Sequence, residues 1–169
     1  AGIYRHVWLV STPKKLHINQ DGVFAPAVVT SEPVKAGAET TDGLAAAATV
    51  HAAAVVVNDG TYNEAPSGAI YFRLYANDGT TLAAEGKGTG SRVASASGGS
   101  MTVFNASLTL PRAQLWSIGR PYLYTLESVL AVGAVAIDRV NSTIGIRSLN
   151  YSGQGFFMNE QHVHVRGFC

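Results

Sequence analysis

Leu115-Trp116-Ser117-Ile118-Gly119-Arg120-Pro121-Tyr122-Leu123-Tyr124-Thr125-Leu126 decides how this chain is read. An apolar Leu-Trp pair closes one stretch, Pro121 fixes the backbone, and a strand then starts with aromatic residues. From Tyr122 to Leu130, Tyr124, Leu126 and Leu130 face one way, against Thr125 and Glu127. The same period of two recurs upstream. Ile70, Phe72, Leu74 and Ala76 share a face, with Tyr71, Arg73 and Tyr75 on the other. Between Met101 and Leu110, Phe104, Ala106, Leu108 and Leu110 oppose Asn105, Ser107 and Thr109. Half-polar strands of this kind suit antiparallel sheets with one wet face.

Turn chemistry separates the strands. Asn77-Asp78-Gly79-Thr80 predicts a tight hairpin, and Asn58-Asp59-Gly60-Thr61 ends an earlier strand. The surroundings of the two tetrapeptides differ, so they are shared turn chemistry and not a repeat; a calcium loop would need further carboxylates. Two segments are ambiguous. Leu44 to Val57 is rich in alanine and suits a helix on propensity, but Val55-Val56-Val57 and the flanking turns favour a strand buried on both faces. Gly86 to Ser100 reads as a flexible connection or a weakly patterned strand. Its Gly86-Lys87-Gly88-Thr89-Gly90-Ser91 lacks the order of a phosphate-binding loop.

The 169 residues predict one domain, or one with a short appendage, large enough to fold without disulfides or metal. Twelve basic residues against eleven acidic, with no basic run, give nucleic acid no electrostatic footing. The single cysteine, Cys169, excludes an internal disulfide. Asn105-Ala106-Ser107, Asn141-Ser142-Thr143 and Asn150-Tyr151-Ser152 match the N-glycosylation pattern, which tilts toward secretion without settling the compartment. No signal peptide and no apolar stretch long enough to span a membrane is visible. The start at Ala1-Gly2-Ile3 predicts a piece of a longer protein. Many short strands with regular turns predict a two-sheet sandwich of immunoglobulin-like size.

Leu115 to Leu126, with Asp138 and Ile144-Gly145-Ile146-Arg147, resembles the immunoglobulin-like β-sandwich domain of glycoside hydrolase family 2, the family of β-galactosidases, β-glucuronidases and β-mannosidases. Gly2-Ile3-Tyr4-Arg5-His6-Val7-Trp8-Leu9 is similar to the segment by which that family leaves its sugar-binding jelly roll. Gly155-Phe156-Phe157-Met158-Asn159 and Val163-His164-Val165-Arg166-Gly167-Phe168 resemble the hairpin leading into its catalytic barrel. Residues 33 to 100 support the resemblance only through strand pattern. It implies a sandwich over residues 1–150 and a hairpin linker over residues 151–169. Partners would be the neighbouring jelly roll and barrel, with a glycoside met only through the barrel.

Trp116 is expected to bury its ring between the sheets, and Tyr124 to tie its hydroxyl to nearby backbone as in immunoglobulin domains. Family members are retaining glycosidases with two glutamates on the barrel. The resemblance places that barrel after Cys169, so the chain is expected to be inactive alone. Asn159-Glu160 falls where relatives carry a tight Asn-Gly turn, and a solvated hairpin tip does not raise a carboxyl pKa as acid catalysis requires. His162 and His164 project from one strand face and suit zinc chemistry, but lack an evident third ligand. Arg166 and Cys169 are weak candidates for supporting the parent's active-site rim. Asp138 and Arg147 are expected to be scaffold residues that can pair. The rival to this scaffold is a surface or carbohydrate-binding module whose sugar platform would be Tyr71 and Tyr75. No residue is assigned a catalytic, cofactor-binding or metal-ligating role. Leu115-Trp116-Ser117 followed by Pro121-Tyr122-Leu123-Tyr124 leans toward the β-galactosidase branch.

Overall fold

The computed structural model describes residues 6–7, 9–35, 43–59, 68–90 and 100–165. All regular structure among them is β-strand, and the pairing is antiparallel throughout. The first sheet is built on β4 (Leu44–Asn58), paired along one edge by β7 (Ser100–Gln114). Three short segments take the other edge in turn: β1 (Leu16–Phe24), β2 (Ala27–Val29) and β3 (Val34–Lys35). Pro26 and Pro33 lie in the two gaps, where a residue without an N–H cannot continue a ladder. The second sheet has the order β6 (Leu82–Lys87), β5 (Gly68–Tyr75), β8 (Tyr124–Val132), β9 (Val135–Ile144).

The two sheets bury their inner faces against each other. Ile18, Val50, Val56 and Leu108 from the first meet Phe72, Leu74, Leu126 and Leu130 from the second. Each such side chain contributes about 1.5–3 kcal/mol when fully buried. Polar contacts join the sheets at both sides. The Ile18 amide donates to the Asp138 carboxylate at 2.7 Å, tying β1 to β9. Thr89 and Asn105 exchange backbone bonds of 2.8 and 3.0 Å, tying the continuation of β6 to β7. The chain is an all-β sandwich, as its alternation predicted.

Several expectations change in detail. Leu44 to Val57 is a strand, but it is not buried on both faces. Its even-numbered residues from Ala46 to Val56 are buried, whereas Ala47, Thr49, Ala53 and Val55 are half-buried and His51 is exposed. Of the two readings of Gly86 to Ser100, the described part takes the strand: Gly86 and Lys87 end β6, Thr89 bridges Asn105, and the run passes close over the core. A Cβ at Gly90 would lie 2.7 Å from the Phe104 ring, and one at Gly86 would lie 2.8 Å from Leu108. Strand β8 begins at Tyr124, not Tyr122, and its polar face is largely covered: Glu127 is buried.

The hairpin turn at Asn77 to Thr80 forms as predicted, with Gly79 at φ 72°. Asp78 accepts from the amides of Thr80 and Thr81, each at 2.8 Å. These bonds, the Thr81 hydroxyl first, lower its carboxyl to about 2. Gly60 and Thr61 of the second turn lie outside the described residues, as do residues 91–99. So do residues 1–5 and Trp8 of the N-terminal resemblance, and Arg166, Gly167, Phe168 and Cys169.

A third sheet follows the sandwich: β10 (Leu149–Ser152), β11 (Gly155–Met158) and β12 (Gln161–Val163), in that order. None of its strand residues is fully buried.

Candidate functional site

The segment that decides the fold ends as a joint. Leu115 is the buried member of the Leu-Trp pair, and Trp116 is only half-buried. Its ring does not enter the space between the sheets as expected. It packs on residues 145 to 147, where Gly145 leaves the room: a Cβ there would stand 3.1 Å from the ring. The Arg147 guanidinium lies over the same ring, 5.1 Å from its centroid. The Trp116 amide donates to the Ile146 carbonyl at 2.7 Å. The expected pairing of Asp138 with Arg147 is replaced by these contacts, since Asp138 is engaged by the amides of Ile18 and Arg139.

Tyr124 behaves as expected of a corner tyrosine. Its buried hydroxyl accepts from the Gln114 amide at 2.8 Å, which locks the end of β7 to the start of β8. Burial pushes this phenol up to about 12. Tyr122 meets it edge-on, with centroids 5.1 Å apart.

Asn159 completes the joint, and sequence reasoning assigned it no role beyond the hairpin turn. It is buried, with φ 49°. Its side-chain amide donates to the Trp116 carbonyl at 3.0 Å, and its side-chain oxygen accepts from the Ser148 amide at 3.0 Å. Its backbone amide donates to the Ser148 carbonyl at 3.0 Å. One side chain therefore ties the third sheet to the connection between β7 and β8 at Trp116, and also bonds Ser148 just ahead of β10.

The remaining candidates divide plainly. Glu160 follows Asn159 at the exposed hairpin tip with φ 63°, so both central turn residues are left-handed, as in the type I′ turn that favours Asn-Gly. A groove of about 500 Å³ lies beside it, lined by Ser148, Asn150, Ser152, Gln154, Phe157 and Glu160. His162 and His164 do share a face, with ring centroids 4.4 Å apart, and Phe157 lies 5.2 Å from His162. Among the described residues, no group of three or more His, Cys, Asp and Glu could hold a metal ion.

Tyr71 and Tyr75 are half-buried on the outer face of the second sheet, with the Lys87 ammonium 5.9 Å from the Tyr71 ring centroid. A charged ladder runs beside them. The Glu127 carboxylate accepts from Arg139 at 2.8 Å and from Arg73 at 3.3 Å, and Arg73 also lies 3.9 Å from Glu85. Two guanidiniums explain why a glutamate is tolerated under cover. Ser107 and His51 are 3.3 Å apart, but they are directly opposed residues on an open sheet face, an arrangement that packs strands rather than activating a hydroxyl. The described residues thus assemble a packing joint.

The family model for glycosyl hydrolases family 2 matches residues 35–147. The chain belongs to this family. A curated relative, the β-galactosidase BoGH2A of Bacteroides ovatus, is 28% identical over the whole chain, which spans 18% of that protein's length. Among solved structures, a family 2 member from Bacteroides cellulosilyticus superposes with a TM-score of 0.68 at 23% identity, over 90% of this chain and 18% of that one. A family 2 β-glucuronidase superposes at 0.66 with 22% identity, over 88% of this chain and 14% of that one. A β-glucuronidase from Ruminococcus gnavus superposes at 0.60 with 19% identity, covering 90% and 20%. At these identities the structures establish a shared fold.

Proposed function

We propose that this chain is the non-catalytic β-sandwich of a family 2 β-glycosidase, spacing a sugar-binding jelly roll from a catalytic barrel and packing on both. One observation carries the reading: the curated relative aligns over the whole chain, which nonetheless spans only 18% of its length. The geometry supports it, since Trp116, Tyr124, Arg147 and Asn159 are all engaged in packing or backbone bonds. On this reading residues 1–150 form the sandwich and residues 151–169 lead into the barrel. That division falls within β10, and on this reading the third sheet would be the connecting element. The reacting carboxylates would lie on the barrel, and a glycoside would be met only there. Nucleic acid and membrane have no part in the reading.

The β-galactosidase branch is preferred on the named relative and on the Leu115-Trp116-Ser117 and Pro121-Tyr122-Leu123-Tyr124 pattern. The test expresses the full reading frame of the parent beside these 169 residues and assays both on a panel of aryl β-glycosides. Cleavage by the long product alone, with the galactoside preferred, is expected. Cleavage by the 169-residue chain would contradict the scaffold role. Retention of the short chain on immobilised sugars, with no activity in the long product, would favour a binding module.

A further inference from the structure

We propose that Asn159 is a positioning residue that fixes the direction in which the three-stranded sheet leaves the sandwich. The need for such a residue follows from packing. Strands β10, β11 and β12 contribute no fully buried side chain, so the hydrophobic effect does little to choose their orientation. Their tie to the sandwich is polar, short and concentrated. The Asn159 amide reaches the Trp116 carbonyl of the sandwich at 3.0 Å, while its oxygen takes the Ser148 amide at 3.0 Å and so continues the β10–β11 pairing up to that contact.

The Trp116 anchor is itself held. The Trp116 amide is bonded to the Ile146 carbonyl, and the Trp116 side chain packs close to Gly145 with the Arg147 guanidinium over its ring. Asn159 is only 2% exposed, so its bonds form where water offers little replacement. Its φ of 49° is one that asparagine tolerates better than most side chains, which lets one residue both turn the hairpin and reach the joint. Aspartate would keep the acceptor and lose the donor. Glycine would keep the turn and lose both. Under the scaffold reading above, this contact also sets the angle at which the following domain is presented; that consequence alone rests on that reading.

The test uses the 169-residue chain with Cys169→Ser, spin-labelled through Thr109→Cys on β7 and Gln154→Cys between β10 and β11. A narrow distance distribution is expected with Asn159 present. Asn159→Gly should broaden it while amide protection within β10, β11 and β12 persists, and Ser148 amide exchange should accelerate roughly ten- to a hundredfold. Asn159→Asp should give an intermediate width. An unchanged distribution in Asn159→Gly overturns the proposal. Loss of protection throughout β10 to β12 in both variants overturns it too, because Asn159 would then fold the hairpin and not aim it.

Discussion

The sandwich and the three-stranded sheet are both antiparallel, yet they are held together by opposite means. The sandwich buries Phe72, Ile70, Leu126 and Leu130 completely between two faces and adds polar stitches at its sides. The smaller sheet buries no strand residue, and the buried residue of its hairpin is the polar Asn159. Apolar burial is strong and non-directional, so it stabilises a unit; a buried amide with two partners contributes less energy but specifies one geometry. The chain uses the first for its body and the second for its exit.

The largest expected effect falls on the sandwich. Phe72→Ala removes a ring with no exposed surface and should cost about 3–5 kcal/mol, measured by urea unfolding. The small sheet should lose stability along with the sandwich, because it has no core of its own to fall back on.

Alkaline pH should weaken the sandwich next. The folded protein holds the Tyr124 proton up to about 12, whereas the unfolded chain releases it near the ordinary value of 10.0. Stability from this group is therefore complete below pH 10 and is lost as pH rises toward 12, by about 2–3 kcal/mol. Tyr124→Phe should flatten that limb of the stability profile while lowering its plateau through the lost Gln114 bond.

The small sheet should respond to its turn. Glu160 sits at φ 63°, so Glu160→Gly should stabilise the hairpin by about 1 kcal/mol, seen as slower amide exchange in β11 and β12. The Tm of the sandwich should hardly move. The smallest effect belongs to Asp78, whose carboxyl is lowered to about 2 by the Thr81 hydroxyl and the amides of Thr81 and Thr80. Its contribution is present above the usual carboxylate range and disappears as pH falls through 2. The Thr80 and Thr81 amide shifts should titrate there and vanish as reporters in Asp78→Ala.

The body was more legible in the sequence than the exit, and the reason is physical. Alternation along Ile70, Phe72 and Leu74 is a local signal of which face meets the core, and the structure buries all three. Asn77 to Thr80 carries its own turn chemistry within four residues. Leu44 to Val57 gave the right element and the wrong burial, because one open face depends on what covers a sheet, which no local pattern reports. Trp116 was misplaced for the same reason: its pocket is made by Gly145 and Arg147, far along the chain. Glu127 is buried only because Arg73 and Arg139 reach it from neighbouring strands. Asn159 was visible as a turn residue, but its partners at Trp116 and Ser148 appear only once the fold has brought them together.

Hydrogen exchange across the intact 169-residue chain tests the contrast between the two regions most directly. Amides in β4, β5 and β8 should exchange only by global unfolding, with urea-dependent rates that converge. Amides in β10, β11 and β12 should open earlier, in a separate step with little urea dependence. A single shared opening free energy for both regions would contradict the division between a hydrophobic body and a polar-tethered exit.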